Sequence, residues 1–327
     1  MNPRHPAAAL GLILSLAACA TAAAQSPALD DTARRAMVDS LARALVARYV
    51  FPEVGERLAA ELRKRTQDGE YDQLTPSDLA SRITGDLYAI AHDGHLRVLR
   101  RPEGGVLPGG GDPAAQAAFA RSVNYGIARV EVLPGNVGLL ELRGFLPVGS
   151  VREALLDAMR KLGKVDALII DLRRNGGGEP ETVALLSSML FPRGQRVHLN
   201  DLHWREGNRV DHYYTDPDLD VPRISGPVYV LTSRRTFSAA EEFTYNLKQL
   251  KRATQVGETS GGGANPGEGV PLPAGFDVFL PTGRAENPIS HDNWEGKGCV
   301  PEVPTSAEDA LATAHRLALE KLGRSGT

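Results

Sequence analysis

The chain is poor in cysteine and in aromatic residues, and its acidic and basic residues nearly balance. Only two cysteines are present, Cys19 and Cys299, and aromatic residues make up 6% of the chain. Cys19 falls inside an apolar leader, so Cys299 has no partner in the mature chain and stability must come from packing rather than from a disulfide. The 327 residues with 42% hydrophobic content can bury a substantial core and predict two structural units rather than one.

A formal net charge of -3, without a long basic tract, argues against nucleic acid or an anionic membrane surface as the main partner. The basic residues near position 100 are interpreted as a solvated edge. No apolar stretch after the leader is long enough to cross a bilayer. We therefore expect no nucleic-acid partner, and no transmembrane helix in the mature chain.

Residues 1–24 have the layout of a secretory signal, with Arg4 and His5 before an apolar stretch and small residues after it. Two endings are compatible with the pattern. Alanines before Gln25 suit ordinary signal cleavage, whereas residues 16–19 resemble a bacterial lipobox that would place a lipid anchor on Cys19. Both endings predict export, to the periplasm, to the cell envelope as a lipoprotein, or to the medium.

The pattern of apolar residues divides the mature chain into two units. Residues 26–102 show helical spacing and predict a small all-α N-terminal domain that ends in a short strand after the turn at residues 93–95. A Gly- and Pro-rich linker at 103–113 follows. Residues 114–325 alternate strands with helices, which predicts an α/β layer architecture with the apolar segment 167–172 in the middle of a sheet.

Glycine-rich loops at 176–178 and 261–269 invite comparison with phosphate-binding loops. Neither the dinucleotide-binding nor the P-loop pattern is present, and Glu179 and Glu181 lie where a phosphate would need cations. Three glycines after a buried strand instead offer backbone that can approach a ligand closely, although a tight turn explains any one of them equally well. We expect no cofactor.

The possible metal ligands have spacings that select no metal. His92 and His95 form H-x-x-H without the glutamate of a zinc-protease signature, and the alternating aspartates at 216–220 lack the glycine and glutamate of a calcium loop. Three histidines share one polar segment without diagnostic spacing: His198, His203 and His212. The sequence therefore predicts no metal site.

Ser238 lies where the apolar strand at 227–231 passes into a helix that runs from Ala239 to about residue 250. Free amides at a helix start can stabilise developing negative charge, so this serine is well placed to be a nucleophile. Ser238 and Glu241 also fit the S-x-x-E capping box, which organises helix starts in many proteins without catalytic activity. Taken alone, the pattern favours a simple helix cap.

Five motifs in a fixed order resemble the tail-specific, or C-terminal processing, serine peptidases, in the branch that includes the modules of interphotoreceptor retinoid-binding protein and the tricorn core protease. The motifs span nearly the whole mature chain: D-G-H at 93–95, G-N-V-G at 135–138 with L-R-G-F at 142–145, D-L-R-R-N-G-G-G at 171–178, T-F-S-A-A-E-E-F at 236–243 and V-G-E-T-S-G-G-G at 256–263. The resemblance implies a catalytic domain with a fold like that of the crotonase and Clp protease group. It aligns Ser238 with the nucleophile.

The resemblance also distinguishes two catalytic schemes. Members with a Ser-Lys pair carry lysine in the loop aligned with residues 260–263, where this chain has glycine. The tricorn-like scheme implies His95 as the general base and, near the end of the domain, Glu295 as the acid that orients it; an imidazole can accept the serine proton and a carboxylate can stabilise the imidazolium. The amides of Ala239 and of Gly177, or a neighbouring glycine, would form the oxyanion hole.

The interval between the His95 strand and the strand at 137–142 is too short for the PDZ domain with which processing proteases hold a substrate's C-terminus, so no PDZ domain is expected. The leading hypothesis is an exported serine peptidase acting on peptide or protein substrates through an acyl-enzyme. The first alternative is a non-catalytic module for hydrophobic ligands, as the retinoid-binding relatives suggest. The second is an acyl-coenzyme A enzyme, against which the export signal and the absence of a basic phosphate clamp both count.

Overall fold

The computed structural model describes residues 29–101 and 113–324. The predicted leader with Cys19, and nearly all of the predicted linker, lie outside the described residues. Within the described ranges, no helix combines the length and apolar character that spanning a membrane requires.

Helices and strands alternate along most of the chain. The helices are α1 (Asp31–Arg48), α2 (Pro52–Gln67), α3 (Pro76–Ala91), α4 (Pro113–Ser122), α5 (Val148–Lys161), α6 (Pro180–Ser188), α7 (Ala239–Gln249) and α8 (Ala310–Lys321). The strands are β1 (Arg97–Arg100), β2 (Ile127–Leu133), β3 (Val137–Leu142), β4 (Ala167–Asp171), β5 (His198–Trp204), β6 (Val210–Tyr214), β7 (Val228–Thr232), β8 (Thr254–Gly257), β9 (Gly267–Leu272), β10 (Phe276–Pro281), β11 (Gly283–Glu286) and β12 (Val303–Pro304).

The third helix shows how local sequence places the strand that follows it. The Thr75 hydroxyl accepts a hydrogen bond from the Asp78 amide (3.2 Å), and Pro76 occupies the first turn, where its missing N–H costs nothing. The helix ends at His92, which has a left-handed φ of 52°. This reversal directs the chain through residues 93–95 into β1.

The three N-terminal helices share their hydrophobic core with strands from much later in the sequence. Strand β1 pairs antiparallel with β10, which pairs with β9, and this small sheet packs against α1 to α3. Leu272, Phe276, Val278 and Leu280 are buried in the same cluster as the helical residues. The helical unit and the later part of the chain are therefore joined through a common core.

A six-stranded sheet with the order β12-β8-β7-β4-β3-β2 forms the centre of the fold, and all its neighbours are parallel except β2 and β3. Residues of β4 are buried on both sides, as predicted, because α5 to α7 cover one face and α8 covers the other. The mixed α/β architecture predicted from the alternation of elements is confirmed. The carboxyl ends of β4 and β7 meet at one edge, where α/β proteins commonly bind ligands.

A third sheet, β11-β5-β6, was not predicted. Strands β5 and β6 lie in a segment whose polar sequence was interpreted as irregular. Its inner face buries Leu199 and Leu202, and its outer face carries histidines and acids. Strand β5 packs near α7, so this sheet forms a wall beside the start of that helix.

Candidate active site

Ser238 lies in a strained tight turn between β7 and α7. Its φ of 56° and ψ of -125° are typical of glycine in a type II′ turn, and the Ala240 amide closes the turn by donating to the Phe237 carbonyl (3.2 Å). Holding a non-glycine residue in such a region costs about 1–3 kcal/mol, and such strain concentrates at functional sites. The turn places the serine at the mouth of α7.

The helix start is held mainly through atoms other than the Ser238 hydroxyl. The Ser238 amide donates to Glu241 Oε2 (3.0 Å), which is one half of a capping box. The Glu241 amide is close to the serine side chain but donates to the Ser238 carbonyl oxygen (2.8 Å). No side-chain cap hydrogen bond of Ser238 is formed within the described ranges, so the hydroxyl is free for another role.

Glu241 fastens the glycine-rich loop to the nucleophile helix. Its buried carboxylate accepts hydrogen bonds from the Ser260 hydroxyl and from the amides of Gly262 (2.6 Å) and Gly263 (2.8 Å), in addition to Ser238. Burial raises the pKa of this carboxyl, while its hydrogen bonds oppose that shift. The sequence identified Glu241 only as a capping residue and gave no sign that it also binds the loop.

His95 is buried and is positioned by its neighbour Asp93. One Asp93 oxygen accepts from the His95 amide (2.9 Å), and the other accepts from the Tyr49 hydroxyl (3.1 Å) and from Asn265 Nδ2 (3.0 Å). These bonds link α1, the turn before β1 and the loop before β9. The backbone of His95 is thereby fixed from three directions.

The imidazole of His95 packs between two aromatic rings. Its centroid lies 4.5 Å from that of Phe237 and 5.6 Å from that of Phe279. Burial and the positive charge of Arg97 lower the pKa of His95 to about 3, so the ring is neutral at pH 7. Its buried Nδ1 has no hydrogen-bond partner among residues 29–101 and 113–324.

Glu295 lies beside His95, as the predicted pairing requires. One Glu295 oxygen, one Asp93 oxygen and one ring nitrogen of His95 lie within 4.8 Å of one another. Glu295 Oε2 accepts from the Ala264 amide, whereas Oε1 is buried without a partner. Burial and the neighbouring Asp93 raise the pKa of Glu295 to about 8. The acid and the imidazole are close but make no hydrogen bond with each other.

The predicted oxyanion amides differ in availability. The Ala239 amide starts α7 and has no acceptor within the described ranges. The Gly177 amide already donates to Asn175 Oδ1 (2.9 Å). Gly178 forms a β-bridge with Phe145, in which the Gly177 carbonyl accepts from the Phe145 amide and the Glu179 amide donates to the Phe145 carbonyl. The amide of Gly178 itself has no partner in the described part of the chain. The neighbouring glycine therefore offers the free N–H.

Gly177 is nevertheless required at this point by space. A Cβ on Gly177 would lie 2.6 Å from Ser238 Cβ and 3.1 Å from the Ala239 nitrogen, and the residue has a φ of 107°. No other residue fits against the nucleophile turn without moving it. The three-glycine loop thus brings bare backbone directly against Ser238.

Ser238 and His95 line the same small cavity, although no hydrogen bond joins their side chains in the described part of the chain. The cavity is also lined by Gly178, Ala239 and Glu242 among others. Glu242 is buried, has one oxygen without a partner, and has its pKa raised to about 8 by burial. A larger groove of about 450 Å³ lies elsewhere, against β6 and α6, and contains neither of the two predicted catalytic side chains.

Two groups of side chains bring enough imidazole and carboxylate donors together for a metal ion. The first is Asp93, His95 and Glu295, where both oxygens of Asp93 already accept hydrogen bonds and the imidazole is stacked, which favours proton transfer over ligation. The second, away from Ser238, consists of His198, Asp201 and His212.

Sequence profiles of two families match this chain. The profile of peptidase family S41 matches residues 136–305, and that of the N-terminal domain of Peptidase_S41 in eukaryotic IRBP matches residues 22–117. Together they cover the segments that carry His95, Ser238 and Glu295.

Two curated relatives and one solved structure show the same similarity. The chain is 32% identical over 192 residues to carboxyl-terminal-processing peptidase 2, chloroplastic, of Arabidopsis thaliana, covering 56% of this chain and 36% of that protein. It is 26% identical over 151 residues to the tail-specific protease of Haemophilus influenzae, covering 46% and 19%. The tricorn protease structure has a TM-score of 0.55 at 12% identity, over 89% of this chain and 37% of the other, which shows a shared fold only. The matches span between 19% and 36% of the length of the curated relatives.

Proposed function

This chain belongs to peptidase family S41, a family of serine peptidases, and we propose that it is an exported enzyme that hydrolyses peptide bonds through an acyl-enzyme on Ser238. The observation that carries the proposal is the strained turn that holds Ser238 at a helix start, in one cavity with a neutral, buried His95. A simple helix cap needs neither the strain nor the histidine.

In the proposed mechanism, Ser238 Oγ attacks the carbonyl carbon of the scissile peptide while His95 accepts the hydroxyl proton. The tetrahedral intermediate collapses, and the proton on His95 passes to the leaving amine. Water then attacks the acyl-serine with His95 again as base, which releases the carboxylic acid and restores the serine. The imidazole is neutral before attack, as a base must be, and an ionised Glu295 beside it would raise the low basicity that burial imposes on the ring.

Glu295 is proposed to orient His95 and to stabilise the imidazolium that forms during attack. Its unpaired Oε1 and the unpaired Nδ1 of His95 are complementary, since one can accept the hydrogen bond that the other can donate. The amides of Gly178 and Ala239 are proposed as the oxyanion hole, in place of the predicted Gly177 amide, because both are free and both line the cavity.

The finer organisation is also a proposal. We assign residues 26–102 to an N-terminal helical domain, 103–113 to a linker and 114–325 to a catalytic domain of the crotonase and Clp protease type, without a PDZ domain. The two profile matches, at 22–117 and 136–305, support that division. The leader at 1–24 supports export to the periplasm or cell envelope, with Cys19 as the lipid-bearing residue if the lipobox is used.

The test is labelling of the purified protein with a fluorophosphonate probe, which reacts with activated serines. We expect the wild type to be labelled and Ser238→Ala to be unreactive, with Ser81→Ala on the exposed face of α3 as the matched control. His95→Asn should react slowly, while His92→Asn, three positions away and exposed, should react as the wild type does. Equal labelling of the wild type and Ser238→Ala would refute the assignment and favour a non-catalytic module for hydrophobic ligands.

A further inference from the structure

The outer face of the sheet β11-β5-β6 carries a compact group of metal-binding side chains far from the sequence motifs. His198 Nε2 and His212 Nδ1 each lie 2.6 Å from the same oxygen, Asp201 Oδ1. The side chains are 30%, 53% and 16% exposed for His198, His212 and Asp201, so the group is open to solvent. The proposed peptidase mechanism does not use these residues.

The backbone is shaped to bring the three residues together. Asp201 and His212 are direct partners in the antiparallel pair β5–β6. His198 is three positions before Asp201, a spacing that would place it on the opposite face of a regular strand. A register shift between His198 and Asn200 resets the alternation, and the two residues that follow His198, Leu199 and Asn200, are fully buried. The irregularity turns His198 outward, and β-bulges often serve to re-aim a side chain in this way.

We propose that His198, Asp201 and His212 form a binding site for a divalent transition-metal ion of the Zn²⁺ class. Two imidazoles and one carboxylate are a donor set that suits zinc and its neighbours, with remaining positions filled by water on the open side. Ligands about 2.0–2.2 Å from a zinc ion lie roughly 3.3 Å apart, so a small rotation of side chains that are now 2.6 Å from Asp201 Oδ1 would admit the ion.

Neighbouring side chains support the ligands. The His198 ring stacks on Tyr214 with centroids 4.5 Å apart, which fixes its plane. Glu286 of β11 is the strand partner of Asp201 on the other side and adds negative charge to the same face. Cations lie nearby as well, since the Arg196 guanidinium stacks on Tyr214 at 3.8 Å and Arg284 forms a salt bridge with Glu286 (2.7 Å).

A bound ion would brace strand β5. Two residues of β5, Asn200 and Leu202, turn inward, and Leu202 lines the cavity that contains Ser238. His212 also borders the 450 Å³ groove against β6 and α6. The ion would therefore stiffen a wall of the candidate active site without contacting it, and this inference does not depend on the peptidase activity.

The experiment is calorimetric titration of Zn²⁺ into the chelator-treated full chain, with Co²⁺ absorption as a spectroscopic measure of ligand type. We expect one site whose Kd rises more than about tenfold in each of His198→Gln, Asp201→Asn and His212→Gln. His203→Gln on the same strand should bind as the wild type does. His95→Gln controls for the other donor group in the molecule.

Two results would overturn the inference. The first is a wild type that binds Zn²⁺ no more tightly than the three ligand variants do. The three side chains would then form a hydrogen-bonded cluster and no metal site. The second is binding that survives in those variants but is lost in His95→Gln, which would move the ion to the candidate active site. Thermal unfolding of each variant without metal shows whether a loss of binding reflects a loss of fold.

Discussion

Substitution of Gly263 by alanine should inactivate the proposed base without replacing any proposed catalytic residue. A Cβ at this position would lie 2.2 Å from Phe237 Cζ and 2.7 Å from His95 Cε1, whereas ordinary contact begins at 3.4 Å. The Phe237 ring would have to move by 1.2 Å and the imidazole by 0.7 Å. Gly263 cannot retreat easily, because its amide is bonded to buried Glu241 (2.8 Å).

The expected cost is larger for reactivity than for stability. Overpacking a well-filled site typically costs about 1–3 kcal/mol, which a chain of this size can survive. Displacing a catalytic group by about 1 Å can reduce rate by roughly 10²-fold. Phe237 immediately precedes Ser238, so its movement disturbs nucleophile and base together. We expect the fluorophosphonate labelling rate of Gly263→Ala to fall about 10²-fold with a modest drop in Tm.

Gly176→Ala is the matched control. Gly176 lies in the other glycine-rich loop of the same site, yet a Cβ there would meet nothing within 4 Å. Its labelling rate should stay within about twofold of the wild type. Wild-type labelling by a folded Gly263→Ala would refute the placement of His95 as the base.

Three further substitutions test the remaining parts of the site. Because burial raises the pKa of Glu295 to about 8, its carboxylate forms only as pH rises through that value. The labelling rate of the wild type should therefore increase toward pH 9. Glu295→Gln should be labelled more slowly, at a rate that does not change with pH over this range. The same raised pKa means that folded protein holds an extra proton between pH 4.5 and 8, so wild-type stability, measured by urea unfolding, should fall with pH relative to Glu295→Gln. Glu241→Gln should lose about 3 kcal/mol, seen as a lower urea midpoint, because an amide would face the N–H donors that the carboxylate now binds. Gly178→Ala should lose about 10²-fold in labelling rate, because its Cβ would lie 1.9 Å from the Phe145 carbonyl oxygen and would displace the oxyanion backbone; unchanged labelling would exclude Gly178 from the hole.

The central sheet could be predicted from sequence because its strands are apolar and buried on both sides. Strand β3 has the bounds that its pattern predicts, and β4 and α7 end within one residue of the prediction. Strands β5 and β6 were missed for the opposite reason. They form an antiparallel hairpin with one wet face, and the bulge after His198 breaks the alternation by which such strands are recognised.

The candidate site was predictable as a set of motifs but not as a set of contacts. The family resemblance named Ser238, His95 and Glu295. In the structure, a ring nitrogen of His95 lies within 4.8 Å of a carboxylate oxygen of Glu295, and Ser238 and His95 line one cavity. Which glycine offers a free amide depends on the side chain of Asn175, and no local pattern shows that bond. The burial of Glu242 beside Ser238 likewise depends on the unpredicted sheet.

The resting arrangement of His95 and Glu295 has an energetic consequence. His95 Nδ1 and Glu295 Oε1 are both buried without a hydrogen-bond partner among the described residues. Each such atom lowers the free energy of unfolding by about 1–3 kcal/mol. They lie in side chains whose donor atoms are less than 4.8 Å apart, so a small movement of β1 against the Gly263 loop would satisfy both at once. Strand β1 is fixed to the helical core, whereas the loop is fixed to α7 through Glu241. A hydrogen bond between the two side chains during catalysis would recover the cost of both unpaired atoms, which favours formation of the proposed relay.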